Sequence, residues 1–206
     1  MPSGSDGGAN LVAALRVVGS PDARGLGVLM VMNDEIHAAR DVVKTSTYRL
    51  QTFRSPDFGA LGHVDGDGVQ IFRSTRRRHA LDTEFAQSRP VSLPRMDIGL
   101  SYAGADGAMV QAARDAGARG IVSAGLAPGI ATPMERAALE SAVAVGIVVV
   151  QCSRAGSGRV RRRRYLQDAG IVPGEDFSPQ KARILLMLAL TVTDDPTRVG
   201  AMFRNY

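Results

Sequence analysis

From Asp97 onward the chain alternates between short apolar runs and segments of helical period, with little sequence left over for the joints. Asp97–Tyr102, Gly120–Gly125 and Ile147–Cys152 have strand length and an apolar interior. Ala108–Ala116 reads as a helix that Gly117 ends. Thr132-Pro133-Met134-Glu135 opens the next helix. Thr132 is placed to cap, Pro133 to sit in the first turn, and Glu135 to close a capping box three residues on. Ser178-Pro179 opens a long helix over Pro179–Thr191, and Asp195-Pro196 opens the last one. Strand, helix and strand joined this closely can pair only in parallel, with helices carrying the chain back across the sheet. The fold class is therefore α/β, and this half predicts a complete small parallel sheet with helices on both faces.

The first half is organised differently. Leu11, Ala14, Leu15 and Val18 recur at helical spacing, so Asn10–Val18 is expected to be an amphipathic helix burying that face. Gly25-Leu26-Gly27 breaks the chain before Val28–Met32, whose unbroken apolar character predicts a strand buried on both faces. Thr45–Phe53, rich in threonine and aromatics, is expected to be extended. Val64-Asp65-Gly66-Asp67-Gly68-Val69 carries the Asp-Gly pairs of a tight hairpin. Arg73–Arg95 is polar and arginine-rich with prolines at 90 and 94, as in an interdomain linker. The expected division is a partial N-terminal domain over 1–72, a linker over 73–94 and a C-terminal domain over 95–206.

Composition removes several classes of function. A single cysteine among 206 residues excludes an internal disulfide. That residue, Cys152, lies inside an apolar run, which predicts a buried structural thiol in a reducing, cytoplasmic setting. The N-terminus lacks the basic start and apolar stretch of a signal peptide, and Ile184–Leu190 is too short to span a bilayer. No membrane association is expected. The net charge of +5 draws on Arg76–Arg78 and Arg161–Arg164. Neither run is interleaved with aromatics, and no helix-turn-helix or zinc pattern accompanies them, so no nucleic-acid partner is expected. His37, His63 and His79 lack metal-ligand spacing and no Gly-rich loop opens a helix after a strand, so no metal and no cofactor are expected.

One residue stands out as a candidate for chemistry. Lys44 follows Asp41-Val42-Val43 and precedes Thr45-Ser46-Thr47, a lysine set among hydroxyl groups. Such an amine can take up a hydroxyl proton, which requires the neutral form, or can hold a neighbouring carboxylate ionised. A lysine in a polar loop is more commonly just solvated, and only its context argues otherwise.

The context is a resemblance. MNDEIHAARDVVKTST, then FRSPDFGALGHV, the strand Ile121-Val122-Ser123-Ala124-Gly125, and SPQKARILLMLALT followed by Asp194-Asp195-Pro196 and the terminal Tyr206 resemble the bacterial type II L-asparaginases in order along nearly the whole chain. The resemblance implies hydrolysis of L-asparagine to L-aspartate and ammonia without a cofactor. It also implies that Lys44 is the assisting lysine of a Thr–Lys–Asp group that activates a threonine nucleophile. The partners it implies are a small-molecule amide and further copies of the subunit.

The remaining machinery has no match. The Thr-Gly-Gly-Thr-Ile turn that carries the family's nucleophile and its Gly-Thr-Asp-Thr motif both lie upstream of the matching region, and neither occurs in this chain. The expectation is an N-terminally truncated member, inactive or nearly so by itself, with no substrate-binding residue confidently retained. Ile130 stands where many members have asparagine, and Arg161–Arg164 with Tyr165 occupy the region of a family glutamate. The alternative expectation is a non-catalytic binding or subunit-pairing module. Its open strand edge at Val28–Met32 would invite self-association.

Overall fold

The computed structural model describes residues 6–87 and 92–206. Residues 88–91 of the expected linker, with its Pro90, lie outside the described residues. The chain divides into two compact units, Met1–Ala80 and Leu81–Tyr206.

The first unit is built from hairpins. Asn33 and Asp34 both adopt the left-handed backbone, at φ 53° and 60°. Two consecutive residues of that kind form the tight turn that matches strand twist, and they return β1 (Leu29–Met32) antiparallel onto β2 (Glu35–Ala38). β3 (Val43–Lys44) pairs antiparallel with β4 (Phe53–Arg54) as a separate two-stranded ribbon. β5 (Gly62–Asp65) and β6 (Gly68–Ile71) form the hairpin expected from the Asp-Gly pairs, with Val64 opposite Val69. The four-stranded sheet has the order β1-β2-β5-β6. Gly62 is required there, because a Cβ would stand 1.9 Å from the Gln70 carbonyl oxygen across the pair.

Three expectations for this unit are corrected. The helix α1 (Gly7–Gly19) forms where its period places it, but it buries Ala13 and Val17 against Ile36 and Val64. Leu11, Leu15 and Val18 face outward at 63%, 63% and 83% exposure. The helix has two apolar faces, and period alone does not choose between them. β1 is an edge strand, half-buried along its length rather than buried on both faces. Of Thr45–Phe53 only Phe53 is in a strand: Thr45–Thr52 forms the long turn between β3 and β4, its hydroxyls bonding to local backbone instead of standing on a sheet.

The second unit is the parallel sheet. Its order is β10 (Val172–Pro173), β9 (Val148–Ser153), β8 (Gly120–Gly125), β7 (Met96–Leu100), with every pair parallel. The helices are α2 (Ala108–Asp115), α3 (Pro133–Ala144), α4 (Arg164–Asp168), α5 (Pro179–Ala189) and α6 (Pro196–Asn205). Strand side chains point to alternate faces. Val122, Val148, Val150 and Cys152 therefore join α5 and α6 in one core, while Ile121, Ile147 and Val149 join α2 and α3 in another. Thr132 caps α3 as expected, with both halves of the capping box present. Sequence reading missed α4 and β10, each too short to show a period.

Leu186 is fully buried in α5, whereas Ile184, two residues earlier, is 48% exposed. Leu186→Ala is expected to lower the unfolding free energy by about 2–5 kcal/mol in urea titration. Ile184→Ala is expected to change it by about 0.5 kcal/mol or less.

Candidate active-site lysine and its surroundings

Lys44 is the last residue of β3, directly opposite Phe53 in the register. The ribbon is held closed by the turn that follows it. The Thr45 amide donates to the Thr52 carbonyl at 2.7 Å, and the Thr45 hydroxyl donates to the same oxygen at 2.8 Å. The buried Thr52 hydroxyl accepts from the Ser46 amide at 2.9 Å and donates to the Ser46 carbonyl. Ser46 Oγ in turn accepts from the amides of Tyr48 and Arg49, at 3.3 Å each. The hydroxyls around Lys44 thus fold its loop; they do not line up beside its amine.

The Lys44 side chain is exposed, with Nζ 5.9 Å from the centre of the Phe53 ring. Among the described residues no carboxylate oxygen lies within 4.0 Å of it. The structure therefore presents a lysine at the end of a short two-stranded ribbon, its head group over the Phe53 ring. Behind the neighbouring strand, His37 is buried; its Nδ1 lies 2.9 Å from Ser55 Oγ and its Nε2 3.2 Å from Glu35 Oε2. His37 ties β2 to the segment after β4, which is a fixing role. No group of three or more metal-ligating side chains occurs among the described residues.

In the second unit the loop after β8 is tightly built. Leu126 and Ile130 exchange backbone hydrogen bonds at 2.8 and 2.7 Å. Gly129, at φ 91°, packs so closely on Val160 that a Cβ would approach its Cγ2 to 2.5 Å. Ile130, Tyr165 and Arg136 line a groove of about 440 Å³ beside it, with the Arg136 guanidinium 5.1 Å above the Tyr165 ring. Ile130 is 44% exposed and offers no hydrogen bond from its side chain. Arg161 and Arg162 are exposed, and Arg159 is held by the buried Glu175, whose carboxylate raises the guanidinium above its ordinary range through a hydrogen bond and its charge.

Two polar assemblies were not legible in the sequence. Glu135, read as half of a capping box, also accepts a hydrogen bond from the fully buried Ser101 hydroxyl. The buried Gln151 donates to the carbonyls of Ser123 and Cys152, at 3.1 and 3.0 Å. A glutamine within an apolar strand run is the only signal of the second. Both assemblies satisfy buried polar groups, the first just past the end of β7 and the second within β8 and β9.

With this geometry in view, the comparisons with known proteins are decisive. Residues 2–77 match the N-terminal asparaginase domain and residues 95–203 the glutaminase/asparaginase C-terminal domain. The chain belongs to the glutaminase/asparaginase family. It is 39% identical over 202 residues to L-asparaginase 2 of Bacillus subtilis, covering 98% of this chain and 54% of that protein. It is 37% identical to L-asparaginase 2 of Escherichia coli, covering 98% of this chain and 59% of that one. A solved probable cytoplasmic L-asparaginase from Campylobacter jejuni superposes with a TM-score of 0.94 at 34% identity, over 99% of this chain and 67% of its own. The chain thus spans a little over half the length of its curated relatives. No described helix is long and apolar enough to cross a membrane.

Cys152 is excluded as a nucleophile in this asparaginase-family chain. It is fully buried, and burial pushes its thiol up to about 12 from 9.0. The folded state therefore favours the protonated thiol. That contribution is intact below pH 9.0 and is lost as pH rises towards 12. Between pH 9 and 10.5 stability is expected to fall by up to roughly 1.4 kcal/mol per pH unit more in the wild type than in Cys152→Ala, by urea titration at each pH.

Proposed function

We propose that this chain serves hydrolysis of the L-asparagine side-chain amide to L-aspartate and ammonia, with Lys44 as its assisting lysine. The observation that carries the reading is the pair of family matches in their order, with Lys44 held at the end of β3 and free of any carboxylate among the described residues. In its neutral form an amine so placed can accept the proton of an attacking hydroxyl once a threonine is brought to it, and backbone donors would hold the oxyanion. The attack makes an ester and releases ammonia; water then cleaves the ester to the free acid.

By the resemblance, the threonine belongs to a Thr-Gly-Gly-Thr-Ile turn that these 206 residues do not contain. Their Thr45 and Thr52 hydroxyls are both donated to backbone carbonyls within the loop. Turnover therefore belongs to an assembly in which an asparaginase-type nucleophile segment accompanies this chain. A cytoplasmic setting is part of the same reading, supported by the free, buried Cys152 and by the name of the Campylobacter jejuni neighbour, and self-association is part of it by the resemblance alone.

The test is a chimera in which this chain replaces its matching region of the Bacillus subtilis L-asparaginase 2. Ammonia release from L-asparagine is expected, and Lys44→Ala is expected to lower kcat by about 10²–10⁴-fold with the fold intact. A folded chimera whose turnover is indifferent to Lys44→Ala would remove the lysine from the chemistry. Faster turnover of L-glutamine than of L-asparagine would reassign the substrate.

A further inference from the structure

Strand alternation turns Val149 and Gln151 of β9 towards α3, away from the core that takes Val148, Val150 and Cys152. Gln151 thereby lines the inner end of the groove beside α3, together with Leu139, Leu166 and Ile171, each at 5% exposure or less. Its amide has one fixed orientation. Nε2 donates to the Ser123 and Cys152 carbonyls, and Gly125 leaves it room, since a Cβ there would stand 2.6 Å from Nε2. The Gln151 Oε1 accepts no hydrogen bond from the described residues. Among those residues the side-chain atom both unpartnered and sealed from solvent is Glu175 Oε1. Gln151 Oε1 is therefore unpartnered and reachable, an acceptor set at the inner end of an apolar groove.

The outer end is charged. Arg136 and Glu140 line it from α3, joined through Arg136 Nε at 2.8 Å, with side chains 48% and 42% exposed. That bond leaves the terminal guanidinium nitrogens to a second acceptor. The wall is pre-formed: Arg136 lies 5.1 Å from the Tyr165 ring centre, and the Tyr165 hydroxyl donates to the Gly129 carbonyl at 3.4 Å.

We propose that this groove binds an aromatic amino acid whose ring carries an N–H or O–H donor. The head group is zwitterionic and matches the rim, its carboxylate on Arg136 and its ammonium on Glu140. An apolar body ending in one neutral donor is what the side chains of tryptophan and tyrosine offer to the walls and to Gln151 Oε1. A lysine side chain would bring a charge to the apolar end, which is costly without an ionic partner. A short polar side chain would leave the apolar walls uncovered. The groove is lined only by residues of the second unit, and the proposal stands apart from the hydrolysis reading.

The whole chain is titrated into L-tryptophan. Because the protein contains no tryptophan, the ligand's own emission reports binding. One saturable site per chain is expected, with a Kd of about 1 mM or below. L-Tyrosine should displace the ligand, and L-phenylalanine, which lacks the ring donor, should do so about tenfold more weakly. Ala137 is exposed and lines the groove, so Ala137→Phe fills it without entering the core. Ala137→Phe and Arg136→Gln are each expected to weaken binding by about tenfold or more while the melting temperature holds. Absence of saturation, binding indifferent to Ala137→Phe, or equal displacement by L-phenylalanine overturns the proposal. Displacement by L-asparagine as effective as by L-tyrosine also overturns it, because the groove then selects for the head group alone.

Discussion

The C-terminal unit depends on burying β8 and β9 on both faces at once. Val122 and Val150 must meet α5 and α6 while Ile121 and Val149 meet α2 and α3. A strand with two apolar faces is stable only between two helical layers. That requirement fixes the parallel sheet and forces helical crossovers. Ser101, just past the end of β7, bonds Glu135, and Gln151 within β9 donates to the Ser123 and Cys152 carbonyls.

The first unit lacks an equivalent enclosure. Its sheet is antiparallel, its edge strand is half-buried, and its helix leaves Leu11, Val12, Leu15 and Val18 in solvent. Lys44 is nonetheless firmly placed, because Thr45, Ser46 and Thr52 close its loop with side-chain to backbone bonds. The unit thus presents Lys44 at the end of β3 with its side chain exposed.

Sequence reading succeeded where one physical rule dominated. Apolar runs bounded by glycine, a capping box, and Pro after Ser or Asp placed β7, β8, β9, α2, α3, α5 and α6 of the second unit to within a few residues. Asp65-Gly66 and Asp67-Gly68 placed the β5–β6 hairpin. It failed where two rules competed. The period of α1 marks a helix, but Leu11 and Leu15 are as apolar as Val17, and only the packing of Ala13 and Val17 on Ile36 decides which face is inside. Thr45–Phe53 has strand composition, yet its hydroxyls find backbone partners locally and make a turn. At the candidate site, Lys44 was legible through the hydroxyl residues around it. The actual work of those hydroxyls, closing the loop, was not, because hydrogen-bond direction is absent from composition.

On the reading proposed above, these 206 residues bring an assisting lysine, Lys44, and a glutaminase/asparaginase C-terminal domain but not the family's nucleophile motif. The most direct measurement is ammonia release from L-asparagine by the purified chain alone, followed over many enzyme equivalents. The account predicts release no faster than in buffer. Sustained multiple turnover by the unaccompanied chain would contradict it.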